Sequence, residues 1–269
     1  MGRKIINRPF MIQELGASHD FNWNADFVFE GESHESWEIV YVVSGTVEVT
    51  EDSQIYQLSE GNMILHAPYE FHKIRSAGNT SPHVLVQTLL AQGEMPSKLK
   101  EGVFFLSEHE RSEYRLLFGR IKSFVNHISE GDYVGQECAD SLASFLIRLS
   151  DKHAAKEQIV YTRDTQIYKK LIDVMEQHVC SNLTLDEVAD MVPVSVSYMK
   201  VLFERYAGIS PKNYYNRLRC TEAIKLLQSG LTVAETSDRL MFSSPNYFSR
   251  FFSRMTGKPP ATYIREHYF

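Results

Sequence analysis

Carboxylates and imidazoles recur at short spacing in the first third of the chain. Glu32, His34 and Glu38 lie within "ESHESWE", and His72 ends the stretch "GNMILHAPYEFH". Imidazole nitrogens and carboxylate oxygens bind divalent transition metals and also hydrogen-bond to hydroxyl groups. Positions 32, 34 and 38 have the same parity, so on one strand their side chains would point to one face. We expect these three side chains to meet His72 from a facing strand inside a barrel.

Three interpretations of this cluster are open. The four groups could hold a transition metal in an enzyme, or they could hydrogen-bond to one another inside the barrel. We favour a third, in which they bind a small-molecule effector without a metal or other cofactor, and Trp23 stacks on that effector. Trp37 falls on the face opposite Glu38, which predicts a packing role for it.

A second group of residues whose side chains could bind a partner lies near the C-terminal end, in "SSPNYFSRFFSRMTGKPP". The aromatic residues recur at helical spacing, and the polar ones fall on the other side. Asn246, Ser249 and Arg250 are of the types that hydrogen-bond to base edges, and arginine to guanine is the commonest specific contact. The residues predicted for the packed face are Tyr247, Phe248, Phe251, Phe252 and Met255.

The same pattern occurs earlier in the chain. Residues 183–211 match residues 231–260: Glu187 corresponds to Glu235, and Gly208 to Gly257. A short helix, a tight turn and a second helix form the helix-turn-helix unit, whose second helix enters the major groove. A tandem pair of such units favours DNA binding over a purely structural role for the exposed polar face.

The region from about residue 165 onwards resembles the DNA-binding domain of the AraC/XylS family of bacterial transcription regulators. "LTLDEVAD", "SYMKVLFERYAGISP", "RLRCTEAIKLL" and "NYFSRFFSRMTGKPPATYIR" carry the resemblance. It implies a seven-helix domain of two lobes, with one recognition helix in each and promoter DNA as the partner. The positions implied to face bases are Ser197, Lys200 and Val201 in the first lobe, and Asn246, Ser249 and Arg250 in the second. The candidates for phosphate contact are Ser195, Arg205, Ser244, Arg254 and Lys258.

Three positions depart from the family pattern. Val201 stands where a polar or basic residue is usual, which favours van der Waals contact, such as with a thymine methyl. Glu204 stands where lysine is common. Met241 replaces the usual glycine of the second turn, and because this position often needs a positive φ, we expect a local rearrangement of the turn.

The N-terminal half resembles a cupin. Glu32-x-His34-x3-Glu38-x6-Gly45 is similar to the first cupin motif, with Glu32 in place of its first histidine, and 61–72 is similar to the second motif. The resemblance implies an antiparallel β-barrel that serves as a small-molecule sensor, with a sugar or a related metabolite as the effector. The alternative it leaves is a metal-dependent cupin enzyme fused to a DNA-binding domain.

Helical periodicity follows the predicted strands, over 111–128 and 134–152. These helices match the position of the family's dimerisation element, which predicts a homodimer, although their apolar faces could equally pack on their own barrel. The resulting fold class is α+β with two domains. The predicted boundaries are a barrel with an N-terminal arm over 1–105, a helical dimerisation segment over 106–155, a linker over 156–163 and the double helix-turn-helix over 164–269.

Composition agrees with a cytoplasmic regulator. The net charge is −6, with 15 basic against 23 acidic residues up to Arg163 and 13 against 11 after it. This asymmetry suits two domains with different partners. The three cysteines form no closely spaced pair, and no apolar run is long enough for a membrane span. RNA polymerase is a further expected partner, and the residues form no recognisable catalytic constellation.

Overall fold

A computed structural model describes residues 8–100, 102–128, 131–152, 160 and 162–268. The chain divides into two compact units, Met1–Val160 and Tyr161–Phe269. The first is mainly antiparallel β-sheet and the second is helical, so the predicted α+β class with two domains is confirmed. Most of the predicted N-terminal arm, residues 1–7, lies outside the described residues, as do 156–159 and 161 of the predicted linker.

Two antiparallel sheets form the first unit. One has the strand order β1-β7-β2-β5-β8 and the other the order β4-β3-β6. Their inner faces meet over valine and isoleucine side chains such as Val40, Val49 and Ile74. The strands are β1 (Phe10–Asn22), β2 (Trp37–Ser44), β3 (Thr46–Glu51), β4 (Gln54–Ser59), β5 (Asn62–His66), β6 (His72–Ser76), β7 (His83–Gly93) and β8 (Phe104–Phe105).

The turn between β2 and β3 depends on Gly45. Its φ is +77°, and a Cβ atom there would lie 2.8 Å from Cα of Pro82. Only glycine combines this conformation with so close an approach. The turn at this position therefore allows β2 to leave the five-stranded sheet and β3 to enter the other.

Two helices, α1 (Glu108–Val125) and α2 (Asp132–Ser150), cover the outer face of the five-stranded sheet. Ser107 and Glu110 form a capping box, so α1 begins three residues before the predicted start. Ile128 was predicted on the apolar face of this helix, and that prediction is wrong. The helix ends at Asn126, and Ile128 is 77% exposed beyond it.

In the described part of the second unit there are seven helices, as the family resemblance implies. Buried aromatic residues, among them Tyr168, Phe203 and Tyr214, form the core of the first lobe through edge-to-face contacts. The helices are α3 (Arg163–Gln177), α4 (Leu185–Met191), α5 (Val196–Ala207), α6 (Pro211–Gln228), α7 (Val233–Arg239), α8 (Pro245–Thr256) and α9 (Pro260–Tyr268).

The internal repeat has a structural counterpart at the helix ends. The short helices α4 and α7 both begin with a Thr–Glu capping box. The 12-residue helices α5 and α8 both begin at a serine N-cap and end at a left-handed glycine, with φ of 68° at Gly208 and 77° at Gly257. These signals fix where each helix starts and stops. No helix among the described residues has the length and apolarity needed to cross a bilayer.

Candidate functional site

Four ionisable side chains form one layer at one end of the barrel interior. We call Glu38, Glu51, His66 and His72 the polar layer. Glu38 lies opposite His66 in the register of β2 and β5, and Glu51 lies opposite His72 in that of β3 and β6. Across the barrel, Nε2 of His72 is 3.4 Å from Oε1 of Glu38, and Nδ1 of His66 is 3.2 Å from Oε1 of Glu51. The two imidazole rings stack in parallel at 4.4 Å.

Two of the sequence-predicted residues extend this layer towards solvent. His34 Nε2 lies 3.4 Å from Oε2 of Glu38 and 4.0 Å from Oε1 of Glu32. The structure therefore brings Glu32, His34, Glu38 and His72 together, with ligand atoms within 4.8 Å of one another. The reason given by parity is wrong, because 32–38 is not one strand. Glu32 pairs with His72 through an isolated bridge, and β2 begins only at Trp37.

The charge states in this cluster follow from burial and hydrogen bonding. The nearby carboxylate of Glu38 raises the pKa of His34 above its ordinary value. Burial opposes ionisation of Glu38, but its close approach to His34 and the other neighbouring imidazoles together lower its pKa. Burial lowers the pKa of His72 to about 4, so His72 is neutral at physiological pH. The buried Nε2 atoms of His34 and His72 have no partner in hydrogen-bond geometry.

Sequence reasoning missed the other half of the polar layer. Glu51 and His66 are buried, and Glu70 lies beside them, with its Oε2 accepting a hydrogen bond from Ala67 N at 2.7 Å. Burial raises the pKa of Glu51 to about 8 and that of Glu70 to about 9. Burial also lowers the pKa of His66 to about 4. The alternation of side chains along β5 could have identified His66 from the sequence, since it places His66 on the inner face.

The two tryptophans lie in different surroundings. Trp23 stacks on Phe27 at 4.2 Å and packs beside the valine-rich core. The ring of Trp23 stacks on Phe21 and Phe27 and on none of the histidine rings of the four-residue cluster that the structure describes. Trp37 is 7% exposed in the core under the helices, with Lys100 Nζ 5.0 Å from its ring centre. Trp37 therefore packs, as its parity indicates.

On the second recognition helix, α8, the aromatic residues predicted for the packed face are buried with one exception, and Met255 is half-buried. Phe248, Phe251 and Phe252 are buried, whereas Asn246 and Arg250 are exposed. Ser249 is half-buried. The exception is Tyr247, predicted for the packed face, which is 50% exposed. It lies in the first turn of the helix, where its ring centre is 6.0 Å from that of Phe242.

The cations on and after α8 differ from Arg205 in their pairing. No acidic side chain in the described part of the chain forms an ion pair with Arg250 or Arg254. Lys258, just beyond the helix, is exposed. Arg205 instead contacts Asp164 at 3.4 Å and lies over the ring of Tyr206 at 5.1 Å. In the described part of the chain, Arg250 and Arg254 thus have no carboxylate partner that a polyanion would have to displace.

The first recognition helix, α5, has a less polar exposed face. Ser197, Lys200 and Val201 are exposed, and the apolar side chain of Val201 is 60% accessible. On the opposite side, Met199 and Phe203 are buried. The two recognition helices therefore have similar buried faces and differ in the side chains that they expose to solvent.

The turns before the two recognition helices have matching geometry. Ser195 Oγ accepts a hydrogen bond from Tyr198 N at 3.1 Å, and Ser244 Oγ accepts one from Tyr247 N at 3.2 Å. Each hydroxyl keeps its proton to donate elsewhere. Met241 takes the left-handed conformation itself, with φ of 55° and its side chain 63% exposed. The expected rearrangement of this turn is not found, because Met241 itself adopts the positive φ that glycine would supply, at a steric cost between its Cβ and the backbone.

Comparisons with known proteins match each of the two units separately. A family model of a helix-turn-helix domain matches residues 188–266, and a cupin domain model matches residues 24–88. The XylDLEGF operon transcriptional activator 1 of Pseudomonas putida is 24% identical over 131 residues, which cover 47% of this chain and 39% of that protein. The matched segment thus spans less than half of this relative.

Two other proteins match over most of the chain. The HTH-type transcriptional activator RhaR of Escherichia coli is 24% identical over 247 residues, covering 87% of this chain and 86% of that protein. The crystal structure of ToxT from Vibrio cholerae covers 96% of this chain and 97% of its own, at 14% identity and a TM-score of 0.39.

Proposed function

Because the chain belongs to the AraC/XylS family of bacterial transcription regulators, we propose that it is a one-component regulator of transcription. The cupin-like unit binds a small-molecule effector, and the helix-turn-helix unit binds promoter DNA. The observation that carries this proposal is the pair of matched helix-turn-helix units, each with an exposed face on a packed helix. Two such units suit successive turns of the major groove, about 34 Å apart.

Asn246, Ser249 and Arg250 contact bases in the second lobe. If Arg250 forms a bidentate contact with guanine, Arg250→Ala weakens binding to the operator by about 1–3 kcal/mol. The measurement is a titration of specific and random duplexes at one salt concentration. The control is Arg115→Ala, which removes the same charge from an exposed site in the other unit. Equal loss on both duplexes would reassign Arg250 to phosphate contact.

The first lobe reads through Ser197, Lys200 and Val201, with Val201 against an apolar base edge. Val201→Ala is expected to weaken discrimination of thymine from uracil at one operator position, because only thymine carries the methyl group. The hydroxyls of Ser195 and Ser244 and the cations Arg254, Lys258 and Arg205 supply phosphate contacts. For Arg205, that contact competes with Asp164.

The effector binds where Glu32, His34, Glu38 and His72 converge. A carboxylate held ionised and imidazole nitrogens without hydrogen bonds offer acceptors and donors to a hydroxyl-rich molecule, so a sugar or related metabolite is the expected class. A thermal-shift screen of sugars and polyols tests this. A ligand that stabilises the parent protein should lose its effect in His34→Ala and keep it in His109→Ala, which changes an exposed histidine of α1. An undiminished shift in His34→Ala would move the effector elsewhere.

The regulator is a homodimer that pairs through α1 and α2. Their buried faces already pack on the barrel, yet Leu116 and Ile147 point away from it and are 74% and 47% exposed. Such exposed apolar residues on adjacent helices suit a second copy of the same surface. Leu116→Glu should yield monomers in sedimentation experiments, whereas Arg115→Glu at the neighbouring exposed position should not.

One observation favours a second candidate function, a metal-dependent cupin enzyme fused to the DNA-binding unit. The Nε2 atoms of His34 and His72, both without hydrogen bonds, converge with Glu32 and Glu38 in a set that fits a transition metal. A stoichiometric metal in the purified protein that is lost in His34→Ala would support it. RNA polymerase is a further proposed partner of the DNA-bound regulator, testable by transcription in vitro from the operator.

A further inference from the structure

Two side chains of the polar layer, Glu51 and His66, and Glu70 beside them are not used by the proposed effector site. Glu51, His66 and Glu70 bring their ligand atoms within 4.8 Å of one another. His66 is 1% exposed and Glu51 is 7% exposed. They therefore differ from a solvated acidic patch on the surface, because ionisable groups are seldom buried without a partner.

The spacing of the ligand atoms suits a bound cation. Nδ1 of His66 and Oε1 of Glu51 are 3.2 Å apart. Around a divalent ion with bonds of about 2.1 Å, neighbouring ligand atoms lie about 3.0–3.4 Å apart in tetrahedral or octahedral geometry. These two groups therefore need little movement to share an ion.

The surroundings orient all three groups. Ala67 N donates to Oε2 of Glu70 at 2.7 Å, and Tyr56 hydrogen-bonds to Glu51. The ring of His66 is held flat against that of His72, at 4.4 Å and an interplanar angle of 6°. Outer contacts of this kind fix ligand orientation in metal sites. His72, 3% exposed, packs its ring against His66, while its Nε2 lies 3.4 Å from Oε1 of Glu38 in the other cluster.

We propose that Glu51, His66 and Glu70 bind one divalent first-row transition-metal cation, at a site separate from the Glu32–His34–Glu38–His72 cluster. One imidazole nitrogen and carboxylate oxygens form a donor set that suits zinc or manganese. The cation balances the carboxylates of buried Glu51 and half-buried Glu70, which would otherwise have to share a proton. The site rests on the geometry of the barrel and is independent of the DNA-binding function.

The experiment is a zinc titration of the full chain after removal of metals with a chelator, followed by calorimetry at pH 7.5. We expect saturable binding that Glu70→Gln, nearly identical in shape, weakens at least tenfold. The matched control is Glu32→Gln, the same change in the other cluster, which should leave this affinity within twofold. Two ions in the parent and one in Glu70→Gln would support the proposal equally.

Two outcomes would overturn the proposal. One is the absence of saturable binding in the parent protein, and the other is loss of the ion in Glu32→Gln with retention in Glu70→Gln. Thermal midpoints in excess chelator check that both variants fold. If Glu70→Gln does not fold, the test uses the variant His66→Asn instead, with cobalt as the added metal. Cobalt d–d absorption bands in the parent should be absent in His66→Asn, and unchanged bands would refute the site.

Discussion

Arg219 on α6 should stabilise the turn of the second helix-turn-helix unit. Its side chain is 5% exposed, donates to the carbonyl of Leu240 and to Oδ1 of Asn182, and lies 4.2 Å from the ring centre of Phe242. Leu240 and Phe242 flank Met241, the residue with positive φ between α7 and α8. One buried cation thus joins the helix between the lobes to the turn that aims the second recognition helix.

Arg219 contributes both stabilising contacts and a destabilising desolvation cost to the folded state. Arg219→Met removes a charge-assisted hydrogen bond of about 1.5–3 kcal/mol and a buried cation–π contact of about 2 kcal/mol. It also relieves desolvation of the guanidinium, whose burial lowers the pKa of Arg219 and whose Nε has no partner. We expect a net loss of about 2 kcal/mol in local stability of the second lobe.

Amide hydrogen exchange measures the local stability of each lobe separately in one sample. In Arg219→Met, amides of 233–256 should exchange about 30-fold faster, as a 2 kcal/mol loss requires, whereas those of 185–207 should not change. Arg205→Met, which removes an exposed cation from the first lobe, should change either rate by less than about fivefold. Unchanged exchange in 233–256, or equal acceleration in both lobes, would refute the reasoning.

Four further predictions concern separate parts of the molecule. Ser244→Ala removes the N-cap of α8 and should lower its stability by about 1 kcal/mol, measured by urea unfolding. Phe248→Ala leaves a cavity at a 0% exposed position and should lower unfolding free energy by about 3–5 kcal/mol in the same assay. Despite partial burial, the hydrogen bond from Lys152 lowers the pKa of Glu110 to about 2, below its unfolded value. Lys152→Met should therefore destabilise the protein at pH 7, by about 1 kcal/mol or less, and progressively less as pH falls from 5 towards 2. Leu116→Glu should abolish dimers without lowering the thermal midpoint of the cupin-like unit, since the side chain contributes nothing to the core.

The helical half was the more predictable part of the fold. Its caps are local signals, because a Thr–Glu capping box and a C-terminal glycine act within four residues of sequence. The repeat then showed which helices pair. Tyr247 was assigned to the wrong face because the first turn of a helix overhangs the core, which periodicity alone does not reveal.

The barrel was less predictable, because its site depends on register between distant strands. Parity along 32–38 suggested the right cluster through a strand that does not exist. Glu51 and Glu70 escaped notice, since only the pairing of β3 with β6 and the position of β5 bring them to His66. Pairing between strands that are distant in the sequence cannot be predicted from any short stretch of it.

The matched ends of α5 and α8 have a consequence for how the protein can vary. A serine N-cap and a C-terminal glycine set the length of each helix, and a tandem duplication would copy both. The exposed positions between them could then diverge without changing the helix ends. Val201 and Arg250 mark that divergence on two scaffolds of equal length. Transplanting the exposed residues of one helix onto the other should therefore move base preference between half-sites, with the host fold conserved.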